Sequence, residues 1–478
     1  MSGREAAVFD LDRTIIGHAS GKIFQRHLAE VGLAPSGGPS SAVADAMFET
    51  FNRIGESGIM MRFARFAPRS AKGHDLAEVH EVAVAAAEDL YDDVQPFAWQ
   101  LFEEHRKAGR KLVLATTSPK HLVTPLAELL HFDAVIATEW EVGDDGRFTG
   151  AIDGPLVWGR GKAKAVKAWA ADNGVRLADS YAYSDSYYDA PLLASVGHAT
   201  AVNPDPRLSS LAVLRGWPIR FLDAPPGVVK LFGKELQELM RPFTARDELI
   251  PNARFEITGL ENIPESGGAI VCGNHRSYFD PTVMSLILAK AGRNARFLGK
   301  KEVFDAPIIG QLATAAGGIR VERASGSSEP LERAAEALRA GEVVGLMPEG
   351  TIPRGPAFFD PVLKGRWGAA RLAAMSGAAV IPVGIWGTEK VWPRAARLPR
   401  LSLHDPPLIT VNIGPAVELG HDDTEADTKR IMQAIMDLLP PEAHEVHEPT
   451  LEELALTFPP GYRGDPTAET DRRPGTDT

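Results

Sequence analysis

The sequence predicts an α/β protein of two domains, each built on a mainly parallel sheet with helices on its faces. Three observations carry that prediction. Short apolar runs alternate with helical patterns along the chain. The alternation halts at DAPPG, residues 223–227, and then starts afresh. Finally, 478 residues exceed the ~250–300 that a single hydrophobic core organises.

In the first half, AAVFD (6–10), KLVLATT (111–117), AVIAT (134–138) and SYAYSD (180–185) read as buried strands. Helical stretches such as 97–108 and 162–173 separate them. Residues 15–95 form a long, mostly helical insertion, broken by PSGGPSS at 35–41. This organisation gives a first domain over 1–223 with a helical cap at about 15–95. Residues 224–250 are a linker, in which VVKLFGKELQELMRPF (228–243) has an amphipathic helical pattern with Lys230, Lys234 and Arg241. A second domain over 251–440 follows, with strands expected at RFEITG (254–259), GAIVCGN (268–274), GGIRVER (317–323), GEVVGLMPEG (341–350), AAVIPVGIWG (378–387) and LITVNIG (408–414). From 441 to 478 the chain is rich in Pro, Glu, Thr and Gly and reads as an acidic, largely disordered tail.

Composition narrows the function classes. With 44% hydrophobic and 24% charged residues, a sizeable core can form. The one cysteine, Cys272, excludes an intrachain disulfide and fits a reducing cytoplasm. No signal-peptide pattern is seen, and no run approaches the ~20 apolar residues of a membrane span. The net charge is −12, but 421–478 hold 14 acidic and 5 basic residues, so −9 sits in the tail and −3 upstream. Nothing upstream therefore opposes an anionic ligand or a membrane surface.

Asp10 and Asp12 stand at the first strand's end in FDLDRT. Other strand ends supply Thr116, Thr117 or Ser118, then Asp185 and Asp189, while GRGKAKAVK offers Lys162 or Lys164. In open α/β sheets ligands gather at the carboxyl ends of strands. A carboxylate can accept a phosphoryl group as an aspartyl phosphate. Clustered carboxylates call for a hard cation, which Mg²⁺ satisfies. A hydroxyl and a lysine would bind the other phosphoryl oxygens, and a second carboxylate would protonate the leaving alkoxide.

The set Asp10-x-Asp12-x-Thr14, Thr116, Lys164 and Asp185–Asp189 resembles the four motifs of the haloacid dehalogenase superfamily phosphatases. Their order matches the phosphoserine phosphatase-like subgroup (subclass IB), whose helical cap lies between the first two motifs. The resemblance covers about 1–223 and implies a Rossmann-like domain. It makes Asp10 the nucleophile and Asp12 the acid/base. Mg²⁺ would be held by Asp10, the Asp12 carbonyl and Asp185, with Asp189 also in the metal set. Thr116 and Lys164 would bind the phosphoryl group; Lys162, Thr117 and Ser118 remain alternatives. Within the insertion, GIMMRFARFAPR (58–69) interleaves apolar residues with Arg62, Arg65 and Arg69. This suits either a lipid-phosphate mouth or a cap helix with snorkelling arginines.

In the second half, GNHRSYFDP (273–281) places His275 five residues before Asp280. Asp-Pro ahead of TVMSLILA marks a helix start, with Asp280 as N-cap and Pro281 at the first helical position. With His275 in the preceding turn, the carboxylate can also meet the imidazole and make it a general base. Downstream, GGIRVER ends in Arg323. MPEGTIPRG puts Glu349, Gly350 and Thr351 in a strand-end loop with Arg354 nearby, and Lys364 and Arg366 precede a helix. There is no GxSxG elbow, and Cys272 sits on an apolar strand, so a substrate hydroxyl is the expected nucleophile.

These blocks resemble the glycerolipid acyltransferase family, especially 1-acylglycerol-3-phosphate acyltransferases. Its four motifs appear in order as NHRSYFD, GGIRVER, PEGT and VIPV, over roughly 250–420. The resemblance implies a C-terminal α/β acyltransferase domain. His275 would be the base, Asp280 its orienting partner and acyl-CoA the donor. Arg323, Glu349, Gly350 and Thr351 would form the acceptor phosphate site, with Arg354 and Lys364 as nearby cations. One departure stands out: the arginine expected directly after Glu-Gly-Thr is Ile352.

The expectation is a bifunctional enzyme of phospholipid metabolism, cytoplasmic and peripheral at the inner face of the membrane. Its partners would be acyl-CoA and a lysophospholipid, with no nucleic acid. The rival readings are a phosphoserine-type small-molecule phosphatase with a membrane-tethering second half, and a non-enzymatic lipid-binding protein.

Overall fold

The computed structural model describes residues 4–34, 46, 49–50, 65, 67–231, 233–300, 305, 317–321 and 329–467. The chain divides into two compact units, 1–226 and 227–478.

The first unit is a seven-stranded sheet: β1 (Ala6–Phe9), β2 (Lys111–Pro119), β3 (Ala134–Val142), β4 (Phe148–Asp153), β5 (Tyr181–Ser184), β6 (His198–Val202) and β7 (Ile219–Arg220). The order is β4-β3-β2-β1-β5-β6-β7, and only the β3–β4 pair is antiparallel. Period-2 alternation explains why the central strands are apolar throughout. Ala7, Phe9, Leu112 and Leu114 face one core, and Ala6, Val8, Val113 and Ala115 face the other. The helices are α1 (Ser20–Glu30), α2 (Leu76–Asp92), α3 (Ala98–Lys107), α4 (Lys120–Leu129), α5 (Arg160–Asp172) and α6 (Pro206–Arg215). Of these, α1 and α2 belong to the expected insertion. The carboxylate of Asp75 caps α2 by accepting from Ala77 N at 2.9 Å, and Val79, Val82, Ala83, Ala86, Ala87 and Leu90 form its buried stripe. Arg65 and Arg69 are exposed, and Arg62 lies outside the described residues.

The second unit repeats the scheme with β10 (Arg254–Thr258), β11 (Ala269–Gly273), β12 (Ala295–Lys300), β13 (Ile319–Val321), β14 (Val343–Leu346), β15 (Ala379–Trp386) and β16 (Leu408–Ile413). They lie in the order β10-β16-β15-β11-β14-β12-β13, with only β15–β16 antiparallel. Ala269 and Val271 face one apolar cluster, Ile270 and Cys272 the other. Cys272 is wholly buried and burial pushes its thiol far up, so it is core. The helices are α7 (Leu236–Thr244), α8 (Asp280–Lys290), α9 (Glu329–Arg339), α10 (Gly368–Ser376), α11 (Thr424–Met436) and α12 (Leu451–Leu456).

Two expectations are corrected here. The helix expected over 228–243 is helical only from Leu236. Before it, β8 (Lys230–Leu231) and β9 (Lys234–Glu235) form an antiparallel hairpin that turns at Gly233, φ +77°. Tertiary contact decides this. Glu235 is buried and receives two hydrogen bonds, 2.7 and 2.8 Å, from the fully buried guanidinium of Arg296, which also pairs with Glu342 at 3.0 Å. Gly317 is required beside it, because a Cβ there would lie 2.8 Å from an Arg296 nitrogen.

The tail expected to be disordered from 441 is instead ordered through 467. Thr450 and Glu453 form a reciprocal capping box at the start of α12. Leu454 and Phe458, four residues apart, are buried, and Thr457 Oγ1 accepts from Gly355 N at 2.8 Å. Acidic composition suggested disorder, but Leu454 on α12 and Phe458 just beyond it are buried apolar anchors for the segment.

Candidate active sites

In the first unit β1 delivers Asp10 to the carboxyl end of the sheet. The turn after it is tight. Arg13 takes a left-handed φ of 60°, and the amides of Thr14, Ile15 and Ile16 all donate to Leu11 O. This turn buries the Thr14 hydroxyl, which lies 3.3 Å from Asp10 Oδ2 and 3.5 Å from Asp185 Oδ1 and accepts from Asp185 N at 3.0 Å. Lys162 Nζ, fully buried on α5, bridges Asp10 Oδ1 at 2.8 Å and Asp189 Oδ2 at 2.6 Å. Ser184 Oγ donates to the same Asp189 oxygen at 2.8 Å.

The open choice of lysine is resolved against Lys164. It is exposed on α5, because two residues along a helix rotate a side chain by about 200°. Asp189, expected in the metal set, is instead turned onto Lys162 and Ser184. The Asp12 carboxylate accepts from Ser20 N, at the start of α1, at 2.5 Å and from Ser118 Oγ at 3.1 Å. It thus occupies the positive end of a helix. Thr116 is fully buried and its hydroxyl accepts from Ser118 N at 3.2 Å.

Among the described residues the carboxylates of this cluster outnumber its cations. Asp10, Asp185 and Asp189 face Lys162 and, at 3.4 Å from Asp185, Arg13 Nε. Two carboxylates converging on one hydroxyl with net negative charge are oxygen donors suited to Mg²⁺. Among the described residues no three His, Cys, Asp or Glu side chains group closely enough to hold a metal alone, so such an ion would complete its shell with main chain and water.

In the second unit β11 ends at Gly273, and the side-chain amide of the next residue, Asn274, bonds both ways to the Ile385 main chain, at 2.9 and 2.7 Å, and so locks the turn to β15. His275 lies in that turn, and its Nδ1 is 2.8 Å from Asp280 Oδ2. Asp280 is not the N-cap; Phe279 is, and Asp280 is the first helical residue. Its Oδ2 reaches backward to accept from Arg276 N at 2.6 Å and Ser277 N at 2.8 Å, while Thr388 Oγ1 donates to Oδ1 at 2.6 Å. Four donors thus fix a fully buried carboxylate, which assigns the imidazole proton to Nδ1 and the lone pair to Nε2. The His275 side chain is 19% exposed, so that nitrogen is within reach of a substrate.

The loop after β14 packs against this turn. Glu349, 1% exposed, accepts from His275 N at 2.8 Å and so holds the His275 backbone in place. Gly350 takes φ +67° and closes a turn onto Met347 O, while Thr351 is half-buried. Ile352 is buried, and its carbonyl accepts from Arg394, a buried arginine that no sequence spacing pointed to. Arg276 is stacked between Phe358 and Trp386, 4.2 and 4.1 Å from the ring centres. Arg354 is half-buried, and Lys364 is exposed, 3.9 Å from Asp360. Arg323 lies outside the described residues.

Thr388 was also missed: it lies 108 residues from Asp280, and only the packing of β15 beside β11 brings them together.

The comparisons follow this division. A family model described as haloacid dehalogenase-like hydrolase matches residues 7–194, and one described as acyltransferase matches 254–386. The "inhibition of morphological differentiation protein" of Streptomyces azureus is 39% identical over 217 residues, 45% of this chain and 78% of that protein. A phosphoserine phosphatase of Mycobacterium tuberculosis (strain ATCC 25618 / H37Rv) is 35% identical, over 45% of this chain and 70% of its own length. A histidinol-phosphatase of Neisseria meningitidis serogroup C (strain 8013) is 32% identical, over 45% of this chain and 98% of its own.

Proposed function

We propose a two-site enzyme of phospholipid metabolism, on the premise that this chain belongs to the haloacid dehalogenase-like hydrolases and carries an acyltransferase domain over 254–386. One observation supports it above the others: each unit gathers a buried acid–base set at the carboxyl ends of its strands.

In the second unit His275 Nε2 takes the proton of a substrate hydroxyl as that oxygen attacks the acyl-CoA thioester. Asp280 steadies the imidazolium. Collapse of the tetrahedral intermediate forms the ester, and the imidazolium returns its proton to the departing thiolate. The acceptor we propose is lysophosphatidate, giving phosphatidate. The strand-end loop at 349–354 and Lys364 are the proposed phosphate-binding region, with Arg323 retained from the motif.

In the first unit Asp10 attacks the phosphorus of a monoester and Asp12 protonates the leaving alkoxide. Asp12 then takes a proton from the water that hydrolyses the aspartyl phosphate. Lys162 and Thr116 are proposed to hold phosphoryl oxygens. Asp10, Asp185 and the Asp12 carbonyl would hold Mg²⁺, which supplies charge neutralisation for the phosphoryl group. A lipid phosphate such as phosphatidate is one substrate. The relatives named as phosphoserine and histidinol phosphatases favour a second reading, a small polar monoester.

No helix among the described residues is long and apolar enough to cross a membrane. We propose peripheral contact with lipid through α7 and its hairpin. Met240, Phe243, Val229 and Leu231 are exposed there beside Lys230 and Lys234.

The test is a mass-spectrometric assay of the full chain with Mg²⁺, acyl-CoA and lysophosphatidate, comparing wild type, His275→Ala and Asp10→Asn. Phosphatidate and its dephosphorylated product should both be lost with His275→Ala, whereas Asp10→Asn should stop phosphate release and leave phosphatidate to accumulate. Absence of both phosphatidate and its dephosphorylated product from the wild type would reject the acyltransfer reading. Faster cleavage of phosphoserine than of phosphatidate would decide for the polar monoester.

A further inference from the structure

A cavity of about 490 Å³ opens at the other end of the first sheet, at the amino ends of β5, β6 and β7, away from Asp10. The proposed chemistry uses none of it. Its wall holds a chain of polar groups whose protons can be assigned one by one.

Arg110 donates to His105 Nδ1 at 3.4 Å, since a guanidinium has only donors. His105 is 2% exposed, and burial, with Arg110 and Arg220 nearby, pushes its pKa down to about 4. The ring is therefore neutral at physiological pH, and its one proton sits on Nε2. That proton is donated to Tyr183 Oη at 2.8 Å. The Tyr183 phenol is 4% exposed, and burial raises its pKa, so it keeps its own proton. Among the described residues no acceptor meets that O–H, although Tyr183 lines the cavity. The hydroxyl proton is therefore available to an acceptor that enters the cavity.

The rest of the wall indicates what would accept. Arg220 lines the cavity, is exposed, and makes no ion pair among the described residues. Arg110 is already paired with Glu5 at 2.7 Å, and Glu104 stands exposed at the rim. One uncommitted cation opposite one rim carboxylate suits a monoanion better than a dianion. Flat surfaces adjoin it: Tyr181 and His198 stack at 4.4 Å, and the exposed His198 and half-buried Trp217 line the same cavity.

We infer that this cavity is a binding site for a small planar carboxylate, its oxygens taking the Tyr183 O–H and the Arg220 guanidinium and its body lying against His198 and Trp217. The Tyr183 ring stacks on Phe9 at 4.6 Å and its carbonyl accepts from Asp10 N at 3.0 Å, so one residue of the cavity wall also contacts the strand that carries the proposed nucleophile.

The probe is 4-fluorobenzoate, titrated against the full chain and followed by its ¹⁹F resonance. Saturable binding is expected in wild type and equally in Asp10→Asn. It should weaken at least about tenfold in Tyr183→Phe and in Arg220→Gln, as loss of a bond to a charged group implies. Arg220 is exposed, so Arg220→Gln tests the site even if Tyr183→Phe disturbs the fold. No saturable binding, or binding unchanged in Arg220→Gln, would overturn the inference. Displacement of the probe by inorganic phosphate in both wild type and Asp10→Asn would overturn the choice of a carboxylate.

Discussion

The two sites solve the same problem, holding a buried carboxylate in one orientation, by different means. In the second unit the work is done inside one turn: Asp280 is fixed by His275, Arg276 and Ser277, all within five residues, and only Thr388 comes from afar. In the first unit local contacts such as Thr14 with Asp10 are joined by several long-range ones. Asp10 meets Lys162 from 152 residues away, and Asp12 meets Ser118 from 106. The first arrangement uses neutral donors; the second uses opposite charge. A site built on neutral donors should be sensitive in function, and one built on charge should be sensitive in stability as well.

That contrast can be broken experimentally. The largest effect is expected from Asp280→Asn, which leaves the size unchanged but puts an amide where four donors converge. Acyl transfer should fall by roughly 10⁴-fold, as when a triad carboxylate is lost. Retention of more than a tenth of the rate would show that His275 does not depend on this partner. Next comes Lys162→Met, which leaves Asp10 and Asp189 buried without their shared cation. Unfolding of the first unit should be easier by about 3–5 kcal/mol in chemical denaturation. Lys164→Met, on the exposed face, should change stability by less than about 0.5 kcal/mol.

A pH titration sharpens the comparison further. The folded-state pKa of His105 is held near 4 against 6.5 in the unfolded chain. The unfolded chain therefore binds the extra proton first as pH falls. Stability is fully present above pH 6.5 and declines between 6.5 and about 4, by at most about 3 kcal/mol. His105→Asn should flatten that part of the profile. A smaller effect on acyl transfer than that of Asp280→Asn is expected from Thr388→Val, which removes one of four donors to Asp280. Acyl transfer should slow by about tenfold, and a shift of its pH profile would distinguish positioning of the base from a packing defect.

What was legible in the sequence follows from the same physics. Alternating apolar runs determined two parallel sheets, because strands covered on both faces must be apolar on both. Motif order placed Asp10 and Asp185 at strand ends, and His275 and Asp280 in the turn and helix start that follow β11. Composition and periodicity failed where a single tertiary contact outweighed them. The segment 228–235 became a hairpin because Glu235 had to reach the buried Arg296. The tail became ordered because Leu454 and Phe458 found a surface.

The sequence by itself therefore determined the central strands and which charged residues stand near their ends, since both follow from local spacing. Only the tertiary structure added β4, β6, β7 and β12, decided between Lys162 and Lys164, turned Glu349 onto the His275 backbone, and brought Thr388 and Arg394 to the second site. The physical reason is that these assignments are settled by which buried charge or hydrogen-bonding group finds a partner, and partners 100 residues apart leave no periodicity to read.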